Sequence, residues 1–186
     1  MLILRSTILT LTLLLVAGIV LALGRPYTAA SALAASPIDS GPPATCPVRR
    51  APSPPFVPPA PYPAATGPGA FWFGTQKLWT NLPVDGTWKG LPHYRPKDSA
   101  FRNKLFWWHE GYDWRTENLP ELTVTGRRLD SPAPPLATDK HANNGWTNDP
   151  HHPFMVAGVF IPTLGCWEIT GDYKGDKLSY VVWVAQ

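Results

Sequence analysis

Short apolar runs alternate with polar residues from Gly69 to the C-terminus. The runs are rich in β-branched and aromatic residues and are bounded by Gly, Pro, Asn and Asp, which is typical of strands. No window of a dozen residues keeps a helical period, and residues 96–103 allow one short helical turn at most. The pattern therefore predicts an all-β fold, a single small antiparallel β-sandwich of immunoglobulin-like type. Its seven expected strands span residues 70–73, 77–81, 104–109, 122–128, 154–161, 166–173 and 178–185.

The last two predicted strands form a hairpin. Trp167 and Ile169 alternate with polar residues on the first strand, so both are expected to face the core. The polar residues 173–177 contain a glycine and supply the turn. The second strand is apolar on both faces, because Val181 and Trp183 lie on the face that points away from the core. This pattern predicts that the strand is covered on both sides or packs near a partner edge. The face expected in the core carries Leu178, Tyr180, Val182 and Val184.

An uninterrupted apolar run, residues 8–23, follows the single charge of Arg5. Sixteen helical residues span about 24 Å, which is short of the ~30 Å hydrocarbon core of a bilayer. We therefore expect residues 1–35 to be a signal peptide that is cut after Ala32 or Ala35, or else an uncleaved N-terminal anchor. The protein is expected outside the cytoplasm, secreted or associated with the cell envelope. It would be attached to the membrane if the signal stays uncleaved.

Residues 36–68 form a proline-rich linker, with 12 prolines between Pro37 and Pro68. Proline fixes φ and removes a backbone donor, so this stretch can form neither a helix nor a central strand. An extended polyproline-II spacer and a disordered leader are both consistent with it. The β-sandwich domain is then residues 69–186, a length that suits one hydrophobic core.

The charge of the chain argues against nucleic acid as a partner. Arg5 and Arg25 lie in the segment expected to be removed, which leaves 14 basic residues against 13 acidic ones. No run of lysine and arginine is longer than two. A near-neutral surface lacks the positive charge that binding to phosphates requires.

Nine tryptophans, all after Gly69, are more than a core of this size is expected to bury. Some should be exposed, where indoles stack on sugar rings or fill pockets on a protein partner. Trp88 and Trp146, both in glycine-containing loops, are the first candidates, and Trp107 and Trp108 are weaker ones. The alternative is that the loop tryptophans fold back onto the sandwich.

Two cysteines in an exported chain favour a disulfide between Cys46 and Cys166. It would close a loop of about 120 residues and stabilise the fold by roughly 4 to 5 kcal/mol in the chain-entropy model. It would lie on the outer side of the sheet, because Trp167 faces the core and its neighbour Cys166 points the other way. The alternative is a buried thiol at Cys166 and a free Cys46 in a flexible leader.

Other chemistry is weakly supported. His141, His151 and His152 lie near Asp139 and Asp149, but no spacing fixes two ligands on one element, so we expect a solvated loop and no metal or other cofactor. A second group consists of carboxylates beside aromatic rings, which a glycoside hydrolase would need but which an ordinary loop also contains. These carboxylates are Glu110, Asp113 and Glu117.

Three segments carry a resemblance to a known group of proteins. Residues 162–170 read P-T-L-G-C-W-E-I-T, residues 126–136 read G-R-R-L-D-S-P-A-P-P-L, and residues 46–48 read C-P-V. In these segments the chain resembles a group of uncharacterised exported bacterial proteins that share a P-x-x-G-C-W-E-x-T pattern near the C-terminus. This resemblance brings no activity, substrate or catalytic residue with it. Residues 162–169 also look like the proline-to-glycine entry into the penultimate strand of many immunoglobulin-like domains, which implies that fold and says nothing of chemistry.

We therefore expect a non-enzymatic binding or structural module of the cell envelope, whose partner is an unknown envelope protein or a glycan. The alternative is a secreted carbohydrate-binding or carbohydrate-active domain that uses exposed tryptophans.

Overall fold

Ten strands and no helix occur in the residues that the computed structural model describes, which are 41–93, 99–145 and 152–186. Accordingly, no helix in these residues has the length and apolar character needed to cross a membrane. The strands are β1 (Ala70–Gly74), β2 (Leu78–Pro83), β3 (Thr87–Trp88), β4 (Phe101–His109), β5 (Thr123–Arg128), β6 (Ala137–Thr138), β7 (Asn143–Gly145), β8 (Phe154–Ile161), β9 (Gly165–Tyr173) and β10 (Asp176–Val184).

The strands form two sheets in a sandwich. The larger sheet has the order β1-β2-β4-β8-β6, with β7 also paired to β8, and the smaller sheet has the order β3-β10-β9-β5. Every pairing is antiparallel except that of β3 with β10. The predicted all-β sandwich is confirmed, and each of the seven predicted strands is present. The three strands that the pattern missed are two or three residues long, too short to show an alternation.

The predicted hairpin of β9 and β10 is also confirmed. Tyr173 pairs with Asp176, and the two residues between them, Lys174 and Gly175, have φ angles of 53° and 88°. Positive φ at both central residues is the geometry of a type I′ turn, whose twist matches that of the strands. The inward faces of both strands are buried in the core.

The core between the sheets is centred on Trp107 of β4. Its indole lies against the backbone of Gly171 on β9, where an added Cβ would be 2.5 Å from the ring. Tyr180 of β10 lies beside the same ring, with the centroids 5.8 Å apart, and Trp167 is fully buried in the same core. Glycine at position 171 thus lets the two sheets approach closely enough for one large ring to fill the gap.

A second apolar core lies on the outer face of the larger sheet. We call it the outer aromatic cluster (Trp72, Trp79 and Trp108), and all three indoles are buried. The rings of Trp72 and Trp108 meet edge to face at 4.8 Å, a favoured aromatic geometry. Phe56 and Tyr62, from the proline-rich segment, pack on this cluster. This second core explains how a small sandwich buries more tryptophans than its inner core could hold.

Residues 43–63, here called the proline strap, therefore lie against the sandwich. The amide of Arg49 donates to the carbonyl of Val181 on β10, and farther along the strap the ring of Tyr62 packs edge to face on Trp79 at 4.9 Å. The proline content leaves a free-standing spacer and a disordered leader as alternatives, whereas in this structure the strap contacts the sandwich.

The strap can pack there because N–H groups on the sandwich donate hydrogen bonds to its carbonyls. Its prolines have no N–H group that burial would leave unpaired. The indole Nε1 of Trp72 donates to the carbonyl of Pro63 at 3.0 Å, and Nε2 of His152 lies 2.8 Å from the carbonyl of Pro61. Donors on the sandwich thus satisfy these two carbonyls of the strap, while Phe56 and Tyr62 cover the outer aromatic cluster.

Candidate functional site

The four candidate tryptophans have different environments. Trp107 is fully buried in the inner core, and Trp108 is only 9% exposed in the outer aromatic cluster, so neither offers a ring to a ligand. The expectation for these two residues is corrected, because alternation along β4 directs one into each core. Trp146 lies outside the described residues. Trp88 is partly buried and lines a cleft.

Trp88 is positioned by a turn that ends on the edge of the smaller sheet. The side-chain Oδ1 of Asp85 accepts from the amide of Thr87 at 2.9 Å, which closes the turn. The carbonyl of Trp88 then accepts from the amide of Ala185 at 2.9 Å, so β3 extends the edge of β10. The Trp88 ring meets the buried ring of Tyr180 edge to face, with the centroids 6.4 Å apart. The indole thus contacts the buried ring of Tyr180 and also lines the cleft.

The cleft opens where β2 and β4 separate. Their register runs from Leu78, opposite His109, to Thr80, opposite Trp107, and then ends. Beyond that point the two strands diverge around a space of about 320 Å³, which we call the Trp88 cleft. Its lining comprises Pro68, Gly69, Ala70, Thr80, Asn81, Leu82, Pro83, Thr87, Trp88, Lys89, Leu91, Asn103, Lys104, Leu105 and Phe106.

The floor of the Trp88 cleft is apolar and its rim is polar. Leu82 and Leu105 are buried and belong to the inner core, and Leu91 packs against it. Lys104 is exposed at the rim. Among the described residues that line the cleft, two are lysines and none is a carboxylate. An apolar floor with few polar groups is the usual character of a binding cleft.

Among the described residues, local acceptors satisfy the β4 edge that faces this cleft, and at the start of β4 His93 forms an isolated antiparallel bridge with Phe101. The amide of Arg102 donates to the carbonyl of Pro92, and the amide of Lys104 donates to Oδ1 of Asn103 at 2.8 Å. Where the strands part, Oγ1 of Thr80 donates to the carbonyl of Phe106 at 2.7 Å. This edge was missed by sequence reasoning. The only signal was Pro83, which cannot donate to a ladder.

The carboxylates considered for glycoside hydrolysis have structural contacts. Glu117 accepts from the hydroxyl of Tyr173 at 2.7 Å and pairs with Lys174, which ties the loop after β4 to the β9–β10 turn. Burial favours the neutral acid, but the hydrogen bonds from Lys174 and Tyr173 outweigh it and hold the pKa of Glu117 below its ordinary value. A carboxylate in that state is ionised at neutral pH and is a poor proton donor to a leaving sugar. Asp113 accepts from the amide of Arg115 within its own turn, and Glu110 is exposed.

The histidines do not assemble a metal site in the part of the chain that the structure describes. His109 accepts from the amide of Gly111 at Nδ1, so its Nε2 carries the proton and donates to Asp176 at 3.0 Å. His152 contacts the strap, and His141 is exposed. His151 and Asp149 lie outside the described residues.

Cys46 and Cys166 are joined in a disulfide, with their Cα atoms 5.7 Å apart. It lies on the outer face of the smaller sheet, as the alternation around Trp167 predicts, and both cysteines are buried. The bond anchors the start of the proline strap to β9. A disulfide is compatible with an oxidising compartment outside the cytoplasm.

The three segments that carry the sequence resemblance meet at this disulfide. Arg128 forms a two-point pair with Asp130 at 2.7 and 3.3 Å and also donates to Thr163. Gly165 has a φ of 133°, and an added Cβ would lie 2.6 Å from Nε of Arg128, so the arginine packs where only glycine leaves room. The segments therefore build one corner of the smaller sheet, next to Cys166.

Comparisons with protein-family models, with curated proteins and with solved structures find no significant match to this chain. Membership in the exported group that the three segments resemble therefore stays a prediction.

Proposed function

We propose that the chain is an extracytoplasmic, non-enzymatic binding module of the cell envelope, whose ligand is a segment of another envelope protein held in the Trp88 cleft. The observation that carries the proposal is the cleft itself, in which buried leucines form the floor beside a partly exposed indole and polar residues form the rim. Aromatic side chains in such positions are frequent anchors of protein interfaces. The disulfide and the strap support a rigid module that tolerates conditions outside the cytoplasm.

The second candidate function is carbohydrate binding or carbohydrate chemistry. Sugar rings stack on accessible indole faces, and of the four candidate tryptophans only Trp88 is both described and partly exposed. The same cleft would then hold a sugar, and the rim amides of Asn81 and Asn103 would supply hydrogen bonds to its hydroxyls. We favour the protein ligand because the cleft is bordered by a strand edge, a feature that a sugar does not need.

Site-specific photocrosslinking in the native host tests the proposal. A photoreactive residue at position 104, on the rim, should give a discrete adduct with one envelope protein, and Trp88→Ala should abolish it. The matched control is the same residue at Thr125, which is exposed on the outer face of the smaller sheet. Equal labelling from positions 104 and 125 would contradict the proposal.

A glycan array distinguishes carbohydrate binding from the proposed binding of a protein segment. Saturable sugar binding that is lost in Trp88→Ala would show that the ligand of the cleft is a glycan. Hydrolysis of any glycan, lost in Glu110→Gln, would contradict both binding functions.

A further inference from the structure

The separation of β2 and β4 leaves a position beside Asn103–Phe106 that no described strand fills, although His93 bridges Phe101 farther along the same edge. The two strands are bonded partners up to Thr80 and Trp107, and both continue beyond that point. On its other side β4 stays paired with β8 as far as Phe101, so its backbone there is regular strand. The Trp88 cleft is therefore bordered on one side by the extended edge of β4.

The amide of Lys104 shows that no described strand is bonded to this part of the edge. In a sheet this amide would donate to a carbonyl of the next strand, but here it donates to Oδ1 of its own neighbour, Asn103. Arg102 and Glu110, two and six residues away on the same edge, donate to the carbonyls of Pro92 and Lys77. Exposed strand edges of this kind bind added strands.

We infer that the Trp88 cleft accepts an extended peptide that pairs with β4 along Asn103–Phe106, with apolar residues alternating with acidic ones. The inference rests on the proposed protein-binding function and specifies its ligand. Alternate residues of a strand point to opposite faces. One set would enter the apolar floor formed by Leu82, Leu105 and Leu91, and the other would lie on the outer face beside Lys104.

The charge of the rim selects acidic residues for the outward set. Lys104 is exposed there, and Lys89, whose Nζ is 4.0 Å from Asp85, lies on the same rim. No carboxylate lines the described part of the cleft. A peptide with outward glutamates thus gains attraction from the rim, whereas one with outward lysines is repelled.

Amide hydrogen exchange of the full chain tests the pairing. The probe is a blocked peptide of sequence Glu-Val-Glu-Val-Glu, added at saturation. Strand pairing slows exchange of the Lys104 amide by about tenfold or more, because the amide becomes bonded within a ladder. The same peptide N-methylated at both valines should not bind. Binding of the methylated peptide, or binding of the parent peptide without protection at Lys104, overturns the inference.

Two variants test the parts of the inference separately. Lys104→Glu should weaken binding of the acidic peptide about fivefold and strengthen binding of Lys-Val-Lys-Val-Lys. Lys140→Glu, an exposed residue that does not line the cleft, is the matched control. Asn103→Ala removes the acceptor that competes for the Lys104 amide, so it should strengthen binding severalfold. Weaker binding in Asn103→Ala, or equal effects of the two lysine variants, would contradict the pairing.

These outcomes are separable from those of the proposed function. If crosslinks form from position 104 but no strand peptide protects the Lys104 amide, the protein-binding function stands and the strand pairing is wrong. If crosslinks fail while peptides bind as expected, the proposed envelope partner is wrong and the edge remains a peptide site.

Discussion

Replacing Gly171 by alanine tests the packing on which the sandwich depends. The added Cβ would lie 2.5 Å from Cη2 and 2.6 Å from Cζ3 of Trp107. Carbon atoms in contact normally lie about 3.5 to 4.0 Å apart, so the ring or the sheet must move by about 1 Å. Trp107 has little freedom to move, since it is fully buried and Tyr180 lies beside it.

Overpacking of this kind costs typically about 1 to 3 kcal/mol, and we expect about 3 because the ring is enclosed. That is a large fraction of the roughly 5 to 15 kcal/mol that stabilises a domain. The melting temperature should fall by about 10 °C. Urea denaturation, followed by far-UV circular dichroism, measures the free energy of unfolding. Gly67→Ala is the control, because no atom lies within 4 Å of its Cβ position, and it should change stability by less than about 0.5 kcal/mol.

A double-mutant cycle identifies the cause. Trp107→Phe shortens the ring that the new methyl group meets, so the double variant should be more stable than the sum of the single changes predicts, by at least about 1 kcal/mol. If Gly171→Ala were neutral, or if the two changes added without coupling, the close contact between β4 and β9 would not exist as described.

Four further predictions concern the core, the disulfide, the strap and the pH dependence. Trp167→Ala should lower the free energy of unfolding by about 3 to 5 kcal/mol in the same urea experiment, because a fully buried indole is removed. Cys166→Ser should cost less; reductant should lower the melting temperature of the wild type but not of this variant, and native labelling of both thiols in the wild type would contradict the bond. Tyr62→Ala should speed cleavage of the strap in limited proteolysis, and an unchanged rate would mean that Tyr62 does not hold it. The pKa of Glu117 is lowered in the folded state, so its contribution to stability is present above its ordinary value of 4.5 and is lost as pH falls through the lower folded value. Glu117→Gln should therefore reduce the loss of unfolding free energy as the pH is lowered. If that loss were unchanged in the variant, Glu117 would not contribute to the acid dependence of stability.

The sequence by itself determined the strands and the faces that they bury. Alternation has a period of two, and burial of one face follows directly from it, so the strands with five or more residues and the inward side of β10 could be predicted. The outward direction of Cys166 followed in the same way from the inward direction of Trp167. These are local properties, each contained in a few consecutive residues.

Only the tertiary structure decided where the tryptophans and the proline strap lie. Trp107 and Trp108 are neighbours in the chain, yet one fills the inner core and the other the outer aromatic cluster, because a surface distant in sequence covers each face of β4. The strap could pack because its Pro63 and Pro61 carbonyls accept hydrogen bonds from the indole of Trp72 and the imidazole of His152. The Trp88 cleft arises from the divergence of two strands that are each regular on their own. Such features depend on the relative placement of distant segments, which no local pattern of residues encodes.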